Sequence, residues 1–171
     1  MIKSEKKLAE LRKILSNAKY NEIYDRISIL RAEEPFEGAI SLLARFYDET
    51  EREEIKKAIS AFFNDMKERS GRAEVIGSLE SVKKPETKAM LASSCWQSGL
   101  DYSEYAIPLG EAFMYGDYMT SLECFTVLEN CIDTISASDK TSLIASLSKA
   151  IAQFDAPLHK LTEELISVLR Q

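Results

Sequence analysis

The chain has 171 residues, with 22 basic and 28 acidic side chains and a net charge of −6. Its six glycines and four prolines are about half the usual share, which excludes turn-rich β-sandwiches, glycine-rich phosphate loops and disordered linkers, and suits a long run of helices. The acidic balance argues against a sequence-independent grip on nucleic acid, which needs a basic field.

The length fits one domain, residues 1–171, able to bury about 70% of its unfolded surface without a metal or disulfide staple. The apolar runs fall far short of the roughly 20 residues that a membrane span needs. The start, Met1 to Lys7, is charged and lacks an apolar segment behind it, so no secretory leader is expected. Three cysteines without a close pair point to reduced thiols in the cytoplasm.

Apolar residues recur at helical spacing along nearly the whole chain. Leu8, Leu11 and Leu15 form the first stripe, and Ile23, Ile27 and Leu30 the second. Ile40, Leu43 and Tyr47 follow, then Ile55, Ile59, Phe62 and Met66. Pro35, Pro85 and Pro157 each precede a stripe, where the missing N–H costs nothing. Thr50 and Glu53 have capping-box spacing. Asp101 and Asp117 suit N-caps, and Gly71, Gly99 and Gly116 suit helix ends. The expected helices cover 3–17, 21–33, 36–48, 51–69, 72–82, 86–98, 102–115, 118–132, 139–154 and 157–170.

Taken as consecutive pairs, these helices repeat every 30 to 37 residues, which is the range of stacked two-helix repeats. A 33-residue offset lays Ala73–Gly77 on Ala106–Gly110 and Leu91 on Cys124. Gly77 and Gly110 then share one position, where close approach of two helices is expected. Pro108 falls inside the expected helix 102–115, where it predicts a kink.

Tyr105-Ala106-Ile107-Pro108-Leu109, then Gly116-Asp117, then Ser121 to Leu128, resembles a HEAT repeat. Pro85-Glu86-Thr87-Lys88 through Leu91 and Cys95 resembles the start of another second helix, with Lys88 where that family often has arginine. Ser121 departs from the pattern at the same place in the next repeat. The resemblance covers residues 72–132 best. It implies an all-α, right-handed α-solenoid of about five stacked helix pairs, HEAT-like or armadillo-type.

No phosphate-loop, dinucleotide or HExxH pattern occurs. Cys95 lies on the stripe of Leu91, and the single histidine, His159, is two repeats away. Cys124 and Cys131 share one helix face. All three read as small core residues. Glu53 with Glu54, and Glu163 with Glu164, are adjacent acids that diverge by about 100° on a helix, so no metal and no cofactor is expected. The acids Asp48, Glu49, Glu51, Glu53 and Glu54 favour a helix start or form a docking patch for a basic partner.

Tyr102, Tyr105, Tyr115 and Tyr118 gather near Trp96 and Phe125. These rings either form a binding surface or cover joints between repeats. In a HEAT-like stack the second helices line the concave face. The expected binding residues there are Ser60, Phe63, Lys67, Ser93, Trp96, Tyr118, Thr126 and Glu129. The expected function is a non-enzymatic protein–protein interaction module. The alternative from the same resemblance is a nucleic-acid-binding protein of the DNA glycosylase type, disfavoured by the negative charge. The last helix, with Leu158, Leu161, Leu165, Ile166, Val168 and Leu169, offers an apolar face for pairing with a second copy.

Overall fold

The computed structural model describes Met1 and residues 3–171, so the charged N-terminal start includes one residue, Ile2, outside the described set. Ten α-helices form among the described residues: α1 (Glu5–Asn17), α2 (Tyr20–Ala32), α3 (Ala39–Glu49), α4 (Glu53–Asn64) and α5 (Arg72–Ser81). They continue with α6 (Pro85–Gln97), α7 (Ala106–Tyr115), α8 (Tyr118–Asn130), α9 (Ala137–Ala150) and α10 (Ala156–Leu169). The all-helical expectation and the ten stripes are borne out.

Each stripe becomes the buried face of its helix: Leu11 and Leu15 in α1, Ile55, Ile59 and Phe62 in α4, Leu143 and Leu147 in α9. The helices assemble in two ranks. α1, α3, α5, α7 and α9 touch in succession, and α2, α4, α6, α8 and α10 do the same. Each odd helix also packs on the even helix that follows it. One continuous apolar core runs between the ranks, as expected when no single pair can bury its own apolar face.

Several local expectations are corrected. The stretch 51–69 is helical only to Asn64, and the chain then turns so that Met66 is buried against Gly71. A Cβ on Gly71 would come within 2.6 Å of Ile40 Cδ1 and 2.9 Å of the Met66 sulfur. α4 starts at Glu53, so Glu53 is its first residue and no capping box forms; the Thr50 hydroxyl accepts from the Arg52 N–H instead. α7 starts at Ala106 after a single 3-10 turn, Ser103–Tyr105. Pro108 therefore sits in the first turn, where an N–H has no intrahelical partner, and there is no interior kink to explain. Gly77 faces open space, whereas a Cβ on Gly110 would overlap Leu143 Cδ2. Only Gly110 marks a close helix approach.

α10 packs on α8 and α9, and Leu161, Leu165, Ile166 and Leu169 are buried within the chain. The apolar face expected to pair with a second copy is thus internal. No helix among the described residues is long and apolar enough to cross a membrane.

The polar contacts between helices keep the repeat spacing. Gly38 N–H donates to Glu74 Oε1 at 2.7 Å, and Ser41 N–H to Glu74 Oε2 at 3.3 Å. Lys84 N–H and Lys83 N–H donate to Asp48 at 2.9 and 3.2 Å. Asn64 pairs with Gln97, and Arg72 with Glu104. These partners are 32 to 36 positions apart. Neither α3 nor α6 receives a side-chain cap from its own N-cap residue, Gly38 or Lys84. Instead Glu74 from the neighbouring pair takes amides at the start of α3, and Asp48 takes the two amides just before Pro85 opens α6.

Asp48 makes this arrangement sensitive to acid. Partial burial pushes its carboxyl up, but the Lys84 and Lys83 N–H groups help to outweigh that and hold it below its usual value. A depressed folded pKa gives stability that is present above the unfolded value of 3.8 and lost as pH falls through the folded value. Urea unfolding between about pH 6 and pH 3 should show stability falling with acid in the wild-type chain and falling less in Asp48→Asn. Equal slopes in the two chains would refute the link between this carboxylate and folding.

Candidate functional site

The residues expected on a concave face all fall on or just after the even helices. Ser60 and Phe63 lie on α4, Ser93 and Trp96 on α6, and Tyr118, Thr126 and Glu129 on α8. Lys67 lies in the link after α4, and its ammonium donates to the Ser98 carbonyl at 3.1 Å. Phe63 is a correction, because its ring is 0% exposed. α4 is contacted by α2, α3 and α6, so its apolar face is wider than one stripe and takes in Phe63 beside Phe62. Ser60, Ser93 and Thr126 are half-buried. The Thr126 hydroxyl donates to its own helix at Leu122 O, and Ser93 accepts from Gln97.

Trp96 is partly exposed, and its indole N–H donates to Glu123 Oε2 at 2.7 Å. It stands at the C-terminal end of α6, whereas Tyr118 opens α8. Its indole meets α8 at Glu123, five residues and roughly 7 Å along the axis from Tyr118. Trp96 and Tyr118 form no aromatic ring pair among the described residues.

The four tyrosines divide between the two roles that the sequence leaves open. Tyr102 is buried, and Tyr105 lies against it with ring centroids 6.1 Å apart and the Arg72 guanidinium 5.6 Å above. Those two cover a joint between helices. Tyr115 is 83% exposed and Tyr118 47%, with Met119 beside them at 50%. They form one apolar corner where α7 turns into α8.

That corner continues along α7. Ile107, Glu111 and Tyr115 recur at four-residue spacing, so they make one outward row about 12 Å long. A groove of about 600 Å³ lies on one side of this row, between α7 and α9, with Met114, Leu143 and Phe154 among its lining. A second groove of about 210 Å³ lies on the other side, against Leu79 of α5. Glu111 and Tyr115 line both. At the base of the larger groove Leu143 of α9 comes against the α7 backbone at Gly110. Sequence periodicity does not single out Ile107 and Met119, although an apolar residue off the buried stripe of its own helix is a readable signal.

The sequence that builds the row and its corner is one-sided in charge, although Lys149 of α9 and Lys88 of α6 face the two grooves. Between Lys88 and Lys140 the chain carries eight acidic residues and no lysine, arginine or histidine. Glu104 is paired with Arg72, Glu123 holds Trp96, and Asp117 caps α8 through the Thr120 N–H. Glu111 is exposed and makes no ion pair or side-chain hydrogen bond among the described residues.

The cysteines sit in the core. Cys95, Cys124 and Cys131 are free and buried. Burial pushes the Cys95 thiol up to about 12 and the Cys131 thiol up to about 11, so both stay protonated at neutral pH, the opposite of an activated nucleophile. Among the described residues no cluster of three histidine, cysteine or acidic side chains is placed to hold a metal ion. Comparison with protein-family models, curated proteins and solved structures returned no match.

Proposed function

We propose that the chain is a non-enzymatic protein–protein interaction module built as a right-handed, HEAT-like α-solenoid of five helix pairs. The two ranks of helices and their contacts at repeat spacing support the solenoid. The observation that carries the binding role is the α7 row. An exposed tyrosine stands between two grooves, next to the exposed Tyr118 and Met119, and tyrosine is enriched at binding hot spots. The three unpaired, buried thiols suit a reducing, cytoplasmic setting.

The test is selection of binders from a displayed peptide library, followed by affinity measurement on variants. Tyr115→Ala should weaken the selected binders by about tenfold or more, equal to roughly 1.4 kcal/mol. Its helical signal and melting curve should match wild type, because Tyr115 is a surface residue. Trp96→Ala, on the other rank, should leave affinity unchanged. Selected binders with equal affinity for the wild type and Tyr115→Ala would overturn this placement.

A further inference from the structure

We propose that the partner segment is a basic amphipathic helix, with its apolar side chains in the α7–α9 groove and a lysine or arginine over Tyr115 and against Glu111. The inference rests on the interaction-module reading and adds the chemistry of the partner.

Three observations carry it. The first is shape. The groove runs between two helices, with Ile107 and Met114 on one side and Leu143 and Phe154 beneath and beyond. A helix lays apolar side chains into such a groove at i, i+3, i+4 and i+7. The second is the pairing of charge with ring on the row itself. Glu111 lies one turn from the open face of Tyr115. A cation placed there gains an ion pair and a cation–π contact, each worth about 0.5–1 kcal/mol at an exposed site. The third is the wider field. Every lysine and arginine is absent from the stretch between Lys88 and Lys140, which builds α7, α8 and their corner. With Glu111 and Lys149 the charged residues in the groove itself, this cation-free stretch favours the approach of a basic partner from the α7–α8 side over that of an acidic one.

Two cations face the grooves from other elements, Lys149 of α9 and Lys88 of α6, and Glu80 of α5 stands with Lys88. Lys149 lies level with the residues just after Tyr115, by the 33-residue offset that sets Gly110 on Leu143. The partner's cation is therefore directed to the Glu111 side of the row.

The experiment uses three synthetic helical peptides of about four turns, labelled for fluorescence anisotropy. One carries leucine on one face and lysine on the other. The second keeps the leucines and replaces lysine with glutamate. The third keeps the lysines and replaces leucine with serine. At about 0.15 M salt, where screening acts within roughly 8 Å, the leucine–lysine peptide should bind about tenfold tighter than either of the others. Glu111→Lys should weaken it about tenfold, and Glu111→Gln by a smaller factor. Lys149→Glu should tighten it roughly threefold. Glu129→Lys makes the same charge change at the far end of α8 and should have less than about a twofold effect.

Equal binding of the leucine–glutamate peptide would overturn the proposal, and so would equal losses from Glu111→Lys and Glu129→Lys. If the leucine–lysine peptide fails while library binders still depend on Tyr115, only the basic-helix inference falls. If no library binder depends on Tyr115, the placement of the interaction site falls with it.

Discussion

Phe63→Ala is expected to lower the unfolding free energy by about 3–5 kcal/mol, the range for deleting a buried aromatic ring. The ring is 0% exposed and meets Phe62 edge to face, with centroids 5.5 Å apart. α4 carries it into the even rank between α2 and α6, with α3 across the core. Nothing nearby relaxes easily into the space, because Ile55, Ile59 and Phe62 on the same helix are already buried. In a chain of this size each kcal/mol corresponds to about 2–4 °C in melting temperature, so a drop of roughly 10 °C should be seen by circular dichroism. A binding residue on an open face would behave otherwise, with melting unchanged and affinity reduced. A wild-type melting curve for Phe63→Ala would return the residue to the surface.

The second large effect is expected at Glu74, where replacement with alanine should cost about 2 kcal/mol. α3 starts after Gly38, which has no side chain to cap it and holds φ at +85°. A helix start exposes N–H groups that need acceptors and carries a partial positive charge. The Glu74 carboxylate reaches across from α5 and answers both needs, with Gly38 N–H at 2.7 Å and Ser41 N–H at 3.3 Å. Glu74→Gln keeps an acceptor and removes the charge, so about half the loss should remain. Amide exchange gives the specific readout. Protection at Gly38 and Ser41 should fall in Glu74→Ala while the α8 amides stay protected. A uniform change across the chain, or none, would reject the cross-repeat cap.

The helices were legible because each must hide an apolar face, and that need repeats with the helical period. The stripes of α1, α4 and α9 show it residue by residue. Helix ends were less legible. The break after Asn64 follows from burying Met66 against Gly71, a contact between segments that no local pattern encodes. Thr50 and Glu53 have capping-box spacing, but the helix begins later, and only the packed structure shows which residue is first. Gly77 and Gly110 look equivalent on the repeat register and differ in what faces them, open space and Leu143. On the site, exposure of Tyr118 matches its predicted place off the core stripe. Phe63 failed the same rule because α4 is covered on three sides. The Tyr115 row was hidden by two averages. Net charge over the whole chain conceals the cation-free stretch between Lys88 and Lys140. The aromatic count joins two buried tyrosines to two exposed ones.

The borrowed caps give the chain a direction. As residues emerge from the N-terminus during synthesis, α3 is complete long before Glu74 arrives, 36 positions after Gly38. Its first turn has bare amides until α5 docks. α6 has the reverse history, because Asp48 is already in place when Lys83 and Lys84 appear. A version shortened after α4 would keep the Asp48 acceptor without its donors and the α3 donors without their acceptor. The stretch that closes both sets of bonds runs from Gly38 to Lys84, through α3, α4 and α5 to the residue just before α6, so the cooperative unit these caps define is longer than the repeat visible as a period in the sequence.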